Sequence, residues 1–135
     1  MTEGYSGTPL ARKLGIKPGM RIVLLSTPRE LESWVSSLPG DLPIGRRVAG
    51  HADLVLIFTT RLAELADRLD ALRAAIAPDG MIWVGWPKRA SRVPTDITEN
   101  LIRDLVLPTG LVDVKVCAIS DVWSGLKLVI RRELR

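Results

Sequence analysis

Side chains that could hold a ligand stand directly after three apolar runs of this chain. They are Ser26 and Thr27 after the first run, Thr59 and Thr60 after the second, and Trp86, Lys88 and Arg89 at the end of the third. Hydroxyl groups hydrogen-bond polar ligands, an indole ring can stack on a flat ligand, and cationic groups attract phosphate or carboxylate. If the three runs are parallel strands, these side chains meet at one edge of a sheet. We therefore predict a crevice there for a small anionic ligand.

A simpler explanation of the same residues is structural. Hydroxyls after strands commonly cap helices, and a lysine at the end of a strand is commonly solvated. Thr27, followed by Pro28 and then by Glu30, has the pattern of a helix N-cap, which would also aim a helix N-terminus at the crevice. Both interpretations stay open at the level of sequence.

A second group of polar and aromatic side chains surrounds the last turn of the chain. Its members are Asp113, Lys115, Asp121, Trp123 and Lys127. Trp123 should have little core around it in a hairpin turn, so its ring could belong to a surface for a protein partner. Asp113 and Lys115 alternate along one strand, and Lys127 could face them across the hairpin. A cross-strand ion pair is the plainer explanation of these charges.

The usual catalytic patterns do not occur in the sequence. It has no nucleophile elbow, no recognisable pair of carboxylates and no glycine loop for phosphate. His51, the one histidine, has no Cys or His at ligand spacing, so we expect no metal site. The one cysteine, Cys117, excludes an internal disulfide. We predict no catalytic residue, and no cofactor is required by these patterns.

The elements that must position these residues follow from hydrophobic periodicity. Between Ala52 and Lys88 a buried-strand run, an amphipathic helix and another apolar run follow one another, which predicts a βαβ crossover and a parallel sheet. The predicted strands are Arg21–Leu25, Asp53–Phe58 and Met81–Trp86, an edge strand near Ile44–Val48, and a C-terminal antiparallel hairpin of Leu111–Ile119 and Leu126–Ile130. The predicted helices are a short one from Thr8 and Pro9 to Leu14, then Pro28–Leu38, Arg61–Ala77, and one from Asp96 to Leu107.

Composition and charge bound the function classes. The formal net charge is +4, from 19 basic and 15 acidic residues that are scattered along the chain. Nucleic-acid binding is disfavoured because the basic residues are not interleaved with aromatic ones. The first residues lack the pattern of a signal peptide, and no apolar run reaches about 18 residues. We expect one domain over residues 1–135, in a cytoplasmic protein without a membrane segment.

Several strings along the chain resemble a known family. GYSGTPLARKLG at residues 4–15, WPK at 86–88, TDITEN at 95–100, GLVDVKVCA at 110–118 and WSGLK at 123–127 are similar to those of a small bacterial domain-of-unknown-function family. The order of elements also resembles the second half of a class I S-adenosylmethionine-dependent methyltransferase. The resemblance implies an α/β fold, namely a three-layer Rossmann-like sandwich with a mainly parallel sheet and a C-terminal antiparallel hairpin, like a truncated class I methyltransferase.

Two departures from the methyltransferase pattern shape the functional prediction. The resemblance implies a glycine-rich turn after the first strand and an acidic residue after the next one. Here the turn is Leu25-Ser26-Thr27-Pro28-Arg29, and no Asp or Glu clearly ends a second strand. We therefore predict a non-catalytic binding or regulatory module for a small anionic ligand or a protein partner, with self-association left open. The alternatives are a reduced methyltransferase-like enzyme that binds S-adenosylmethionine or a nucleotide, and weak nucleic-acid binding.

Overall fold

The computed structural model describes residues 9–135, which form a six-stranded sheet with helices on both faces. In chain order the elements are α1 (Leu10–Leu14), β1 (Ile22–Leu25), α2 (Glu32–Ser36), β2 (Ile44–Gly45), β3 (Ala52–Phe58), α3 (Leu62–Ala75), β4 (Ile76–Pro87), α4 (Glu99–Val106), β5 (Leu111–Ala118) and β6 (Trp123–Ile130). The strand order is β2-β1-β3-β4-β6-β5. The first four of these strands are parallel, and β6 runs antiparallel to its neighbours β4 and β5. The predicted three-layer Rossmann-like sandwich with an antiparallel hairpin is confirmed.

Alternate residues of the central strands pack on opposite faces of the sheet, because successive side chains of a strand point to opposite sides. Toward α3 and α4 the core includes Val23, Leu25, Val55, Ile57, Ile82 and Val84. Toward α1 and α2 it includes Ile22, Leu24, Leu54, Leu56, Phe58 and Trp83. The predicted runs are continuously apolar for this reason: β1 and β3 are covered on both sides.

The helix after β1 differs from its prediction. Instead of one helix over Pro28–Leu38, the chain makes a 3-10 turn at Arg29–Leu31 and the five-residue helix α2. Thr27 does not cap either of them: its Oγ1 is buried and has no hydrogen-bond partner among the described residues. A helix this short also offers no organised N-terminal site for an anion, so that part of the prediction is wrong.

The two later helices begin differently from the sequence pattern. α4 begins at Glu99, and the hydroxyl of Thr98 accepts a hydrogen bond from the Leu101 N–H at 3.2 Å. Asp96, predicted to start this helix, instead accepts a hydrogen bond of 2.8 Å from the N–H of Leu62, the first residue of α3. A residue 34 positions away therefore caps α3.

Strand β2 is the predicted edge strand, although it is only two residues long. Ile44 pairs with Ile22, and Gly45 pairs with Val23 of β1. Residues 46–51 then connect β2 to β3 without a helix. In α1, Pro9 is the N-cap residue, while Thr8, predicted as its cap, lies outside the described residues. No helix in residues 9–135 is both long enough and apolar enough to cross a lipid bilayer.

The C-terminal hairpin has an irregularity that overturns the predicted ion pair. The pairing of β5 with β6 shifts between Asp113 and Lys115, so that Lys115 lies opposite Lys127. Asp113 faces Leu128 instead, and its carboxylate accepts a 2.9 Å hydrogen bond from Nε of Arg103 in α4. The prediction of a cross-strand pair with Lys127 is wrong, because a β-bulge changes the register.

Candidate functional site

The carboxyl ends of β1 and β3 diverge at the centre of the sheet. The segment after β1 packs on one face through Leu31, whereas α3 after β3 packs on the other through Leu65. Adjacent parallel strands whose connections leave to opposite faces create a crevice, the usual ligand position of open α/β sheets. A cavity of about 370 Å³ lies there, which we call the switch-point cleft. It is lined by Ser26, Ile57, Phe58, Thr59, Glu64, Asp67 and Arg68.

The turn after β1 carries two unfavourable features side by side. Ser26 has a φ of 57°, in the left-handed region that non-glycine residues seldom adopt. The next residue, Thr27, has the buried hydroxyl without a partner. Each costs on the order of 1 kcal/mol or more, and such costs tend to cluster where a protein binds or reacts. The turn after β1 thus has a backbone conformation typical of glycine, although serine occupies the position.

Of the two predicted hydroxyl residues after β3, Thr59 lies at the cleft and Thr60 lies outside it. Thr59 is buried, lines the cleft, and its Oγ1 lies 3.3 Å from the N–H of Arg61, which donates to it, and 3.4 Å from a Glu64 carboxylate oxygen. Thr60 is not part of the lining, and its carbonyl accepts a 2.6 Å hydrogen bond from the hydroxyl of Thr95. Thr59 therefore presents a fixed polar group, while Thr60 anchors the loop before α4.

Two carboxylates that the sequence analysis did not single out form one wall of the cleft. Glu64 and Asp67 project from α3 three residues apart, beside Arg68, so this wall has a formal charge of −1. The i,i+3 spacing near a strand end was the available signal. The N-terminus of α3 already holds the carboxylate of Asp96. The switch-point cleft thus favours hydroxyl, amine or cationic groups over the small anionic ligand that we predicted.

After β2, where the methyltransferase resemblance implies an acidic residue, the chain has Arg46. Its guanidinium donates two hydrogen bonds, of 2.9 and 3.0 Å, to the two carboxylate oxygens of Glu32 in α2. The hydrogen bonds from Arg46 lower the pKa of Glu32. This pair ties α2 to the end of β2.

A second cavity, of about 560 Å³, opens on the face of the sheet that carries α1 and α2. We call it the α2-side cavity. It is lined by Leu10, Lys13, Glu30, Leu31, Ser33, Trp34, Ser37, Lys88, Ala118, Ile119, Ser120 and Asp121. It brings together Lys88 from the predicted crevice and Asp121 from the predicted hairpin surface. The sequence placed these two residues in separate sites, because the turn between β5 and β6 reaches the end of β4 only in the folded sheet.

The two tryptophans proposed as exposed platforms are buried. Trp86 is 7% exposed and packs in the core toward α3 and α4, and Trp123 is 8% exposed. The ring of Trp123 meets Phe58 edge to face at 5.2 Å, and its Nε1 donates to a Glu30 carboxylate oxygen at 3.1 Å. Neither ring is available for stacking on a partner. Of the other predicted residues, Arg89, Lys115 and Asp121 are exposed, and Lys127 is half-buried.

Phe58, which lines the switch-point cleft, is packed tightly between β4 and Trp123. A Cβ added to Gly85 of β4 would lie 2.8 Å from Cδ2 of Phe58, so only glycine lets the ring lie against this strand. Trp123 closes its other side. Packing against Gly85 and Trp123 therefore fixes the position of the Phe58 ring in the lining of the switch-point cleft.

Shifted pKa values belong to structural groups outside the two cavities. Hydrogen bonds to Asp113 and Glu99 raise the pKa of Arg103, and burial raises the pKa of the Cys117 thiol. Among residues 9–135, no three side chains of metal-binding type come together.

No family model matches the sequence, and no curated protein matches it. Solved structures do match. A SAM-dependent methyltransferase from Aquifex aeolicus superposes with a TM-score of 0.68 at 13% identity, over 90% of this chain and 87% of that one. Magnesium protoporphyrin IX methyltransferase from Synechocystis PCC 6803, solved with bound SAH, gives 0.61 at 11% identity, over 89% and 78%. N-methyltransferase NodS from Bradyrhizobium japonicum WM9 gives 0.55 at 13% identity, over 88% and 90%.

These similarities define the fold of the chain. It is a methyltransferase-like Rossmann fold, with a sheet of six strands within residues 9–135. The predicted likeness to a truncated class I methyltransferase is confirmed. At 11 to 13% identity the similarity concerns the fold alone.

Proposed function

We propose that this protein binds an adenosine-containing ligand of the S-adenosylmethionine type in the switch-point cleft, as a reduced methyltransferase-like protein. The observation that carries the proposal is the position of the cleft, between the diverging carboxyl ends of β1 and β3. That is where open α/β sheets bind ligands. The left-handed backbone of Ser26, which lines the cleft and has a φ of 57°, gives independent support.

The side chains at the cleft fit such a ligand better than a nucleotide phosphate. Carboxylates of Glu64 and Asp67 can accept hydrogen bonds from ribose hydroxyls or an amine, a role that the resemblance would give to a residue after β2. Their negative charge also favours a sulfonium over a phosphate. When bound, S-adenosylmethionine supplies a methyl group for transfer to a nucleophile. The residues of this chain would bind and orient it.

Isothermal titration calorimetry with S-adenosylmethionine, S-adenosylhomocysteine and ATP tests the proposal. We expect the first two to bind and ATP to bind more weakly. Asp67→Asn should weaken binding about tenfold, because a hydrogen bond to a charged acceptor is worth about 1.5 kcal/mol or more. Asp70→Asn is the matched control, since Asp70 is exposed on the same helix and outside the cleft. Absence of binding by both adenosyl compounds at about 1 mM would refute the proposal.

A second candidate function is binding without turnover, the module that we predicted from sequence. It is favoured by the turn after β1, where the side chain of Thr27 and the ring of Pro28 stand in place of glycine. The two candidates differ in whether bound S-adenosylmethionine is consumed. Formation of S-adenosylhomocysteine in the presence of cell extract, reduced in the Asp67→Asn variant, would favour the enzyme. Binding with no product would favour the module.

A further inference from the structure

Lys88 is a cation in the lining of the α2-side cavity. Its N–H donates to the Val122 carbonyl at 2.7 Å, and its own carbonyl accepts a 2.7 Å hydrogen bond from the Ser91 hydroxyl. The backbone is thus held from two sides. Within residues 9–135 its ammonium group forms no hydrogen bond or ion pair, although the residue is half-buried. A cation held in this way is prepared to receive an anion.

Neither carboxylate of the lining, Glu30 or Asp121, forms an ion pair with Lys88. Glu30 is already engaged, because one of its oxygens accepts the indole N–H of Trp123 at 3.1 Å. Asp121 is exposed and lies beyond ion-pair distance of any cation in the described part of the chain. Lys13 adds a second positive charge to the lining. The cavity therefore presents the Lys88 ammonium group to a ligand anion.

The rest of the lining suits a flat apolar body. Leu10, Leu31 and Ile119 are buried and form an apolar floor. The half-buried indole of Trp34 flanks it. At the rim, the Ser120 oxygen accepts the N–H groups of Val122 and Trp123 at 3.2 and 3.1 Å, which leaves its hydroxyl hydrogen to donate. Apolar walls with a few fixed polar groups, in a cavity of several hundred Å³, are typical of small-molecule sites.

We propose that the α2-side cavity binds a small amphipathic anion, whose carboxylate or phosphate pairs with Lys88 and whose flat apolar body lies on Leu31 and Ile119 beside Trp34. This site is on the opposite face of the sheet from α3 and its carboxylates. It goes beyond the proposed function and does not depend on it. An anion that failed to bind here would leave the adenosyl proposal standing, and the reverse also holds.

Titrations followed by ¹H–¹⁵N NMR test the site, with benzoate and phenyl phosphate as probes. Both should shift the Trp34 indole signal, assigned with a Trp34→Phe variant. Benzamide, which has the same ring without the charge, and inorganic phosphate, which has the charge without the ring, should each bind at least about tenfold more weakly. If benzamide bound as tightly as benzoate, the charge would play no part. If inorganic phosphate bound as tightly as phenyl phosphate, the ring would play no part. Either result would overturn the proposal.

Charge variants make the test specific to Lys88. Lys88→Gln should weaken both probes about tenfold, since a charge-assisted hydrogen bond is lost. Lys17→Gln is the matched control, because Lys17 is exposed and outside this cavity. Asp121→Asn should strengthen binding about twofold by removing a like charge from the rim. The amide spectrum of each variant reports whether it is folded. A folded Lys88→Gln protein that binds the probes like the wild type would overturn the proposal.

Discussion

At the residue scale, Thr27 has a buried hydroxyl to which nothing in residues 9–135 forms a hydrogen bond. Burying such a group without a partner is unfavourable, and valine has the same shape without the hydroxyl. Thr27→Val should therefore raise the free energy of unfolding by about 1 kcal/mol, measured by urea denaturation. Thr27→Ser, which keeps the hydroxyl, serves as the control. A Thr27→Val protein less stable than the wild type would mean that the hydroxyl has a partner in solution.

The same substitution separates stability from binding. If the Thr27 hydroxyl serves the ligand of the switch-point cleft, Thr27→Val should bind S-adenosylhomocysteine more weakly while it unfolds at higher urea concentration. A gain in stability that accompanies a loss of binding is characteristic of residues kept for function. Ser26, the preceding residue in the same turn, has an unfavourable left-handed backbone conformation. This second unfavourable feature also favours a functional role for the turn.

At the scale of elements, the helix α3 depends on a cap from a distant loop. The carboxylate of Asp96 accepts the Leu62 N–H and places a negative charge at the positive end of the helix. Asp96→Ala should lower the free energy of unfolding by about 1 kcal/mol, and Asp96→Asn by less, because the amide oxygen still accepts the hydrogen bond. Urea denaturation measures both.

Asp104→Ala is the control for the α3 cap, since Asp104 is an exposed aspartate on α4. It should change stability by no more than about 0.5 kcal/mol. If Asp96→Ala and Asp104→Ala had the same effect, the hydrogen bond to Leu62 would contribute nothing to stability.

Strands and helices that local hydrophobic periodicity determines could be predicted from the sequence. Features that depend on contacts between distant residues could not. The strands Ile22–Leu25 and Ala52–Phe58 and the helix Leu62–Ala75 lie within one or two residues of their predicted bounds, because periodicity and burial determine them locally. The predicted cap at Thr27 failed although its local pattern was correct. The predicted start at Asp96 failed because that carboxylate is used by another helix.

At the scale of the whole molecule, the residues of the single predicted ligand site lie in two separate cavities. Sequence reasoning placed Thr59 and Lys88 at one edge, which is correct for parallel strands, but gave no information on the face toward which each side chain points. In the fold Thr59 lies at the switch-point cleft and Lys88 in the α2-side cavity. The link between Glu30 and Trp123 joins residues 93 positions apart, and no local pattern announces such a contact.

The outer strand β5 is an exposed edge of the sheet. It ends the sheet, and its Val114 and Val116 are 53% and 51% exposed. Lys115 stands between them, beside the bulge that interrupts the pairing with β6. A charge and a bulge on an edge strand are the usual protection against pairing with a further strand. The wild-type edge is thus apolar but interrupted.

Replacing that charge should remove the protection. Lys115→Val leaves a continuous β-branched apolar edge, so we expect its weight-average mass to rise with concentration more steeply than that of the wild type, measured by sedimentation equilibrium. Lys17→Val is the control, because it adds an exposed valine away from the sheet edge. Equal association of the two variants would mean that added surface hydrophobicity acts without regard to position. Association of the Lys115→Val protein no stronger than that of the wild type would mean that the bulge alone protects this edge.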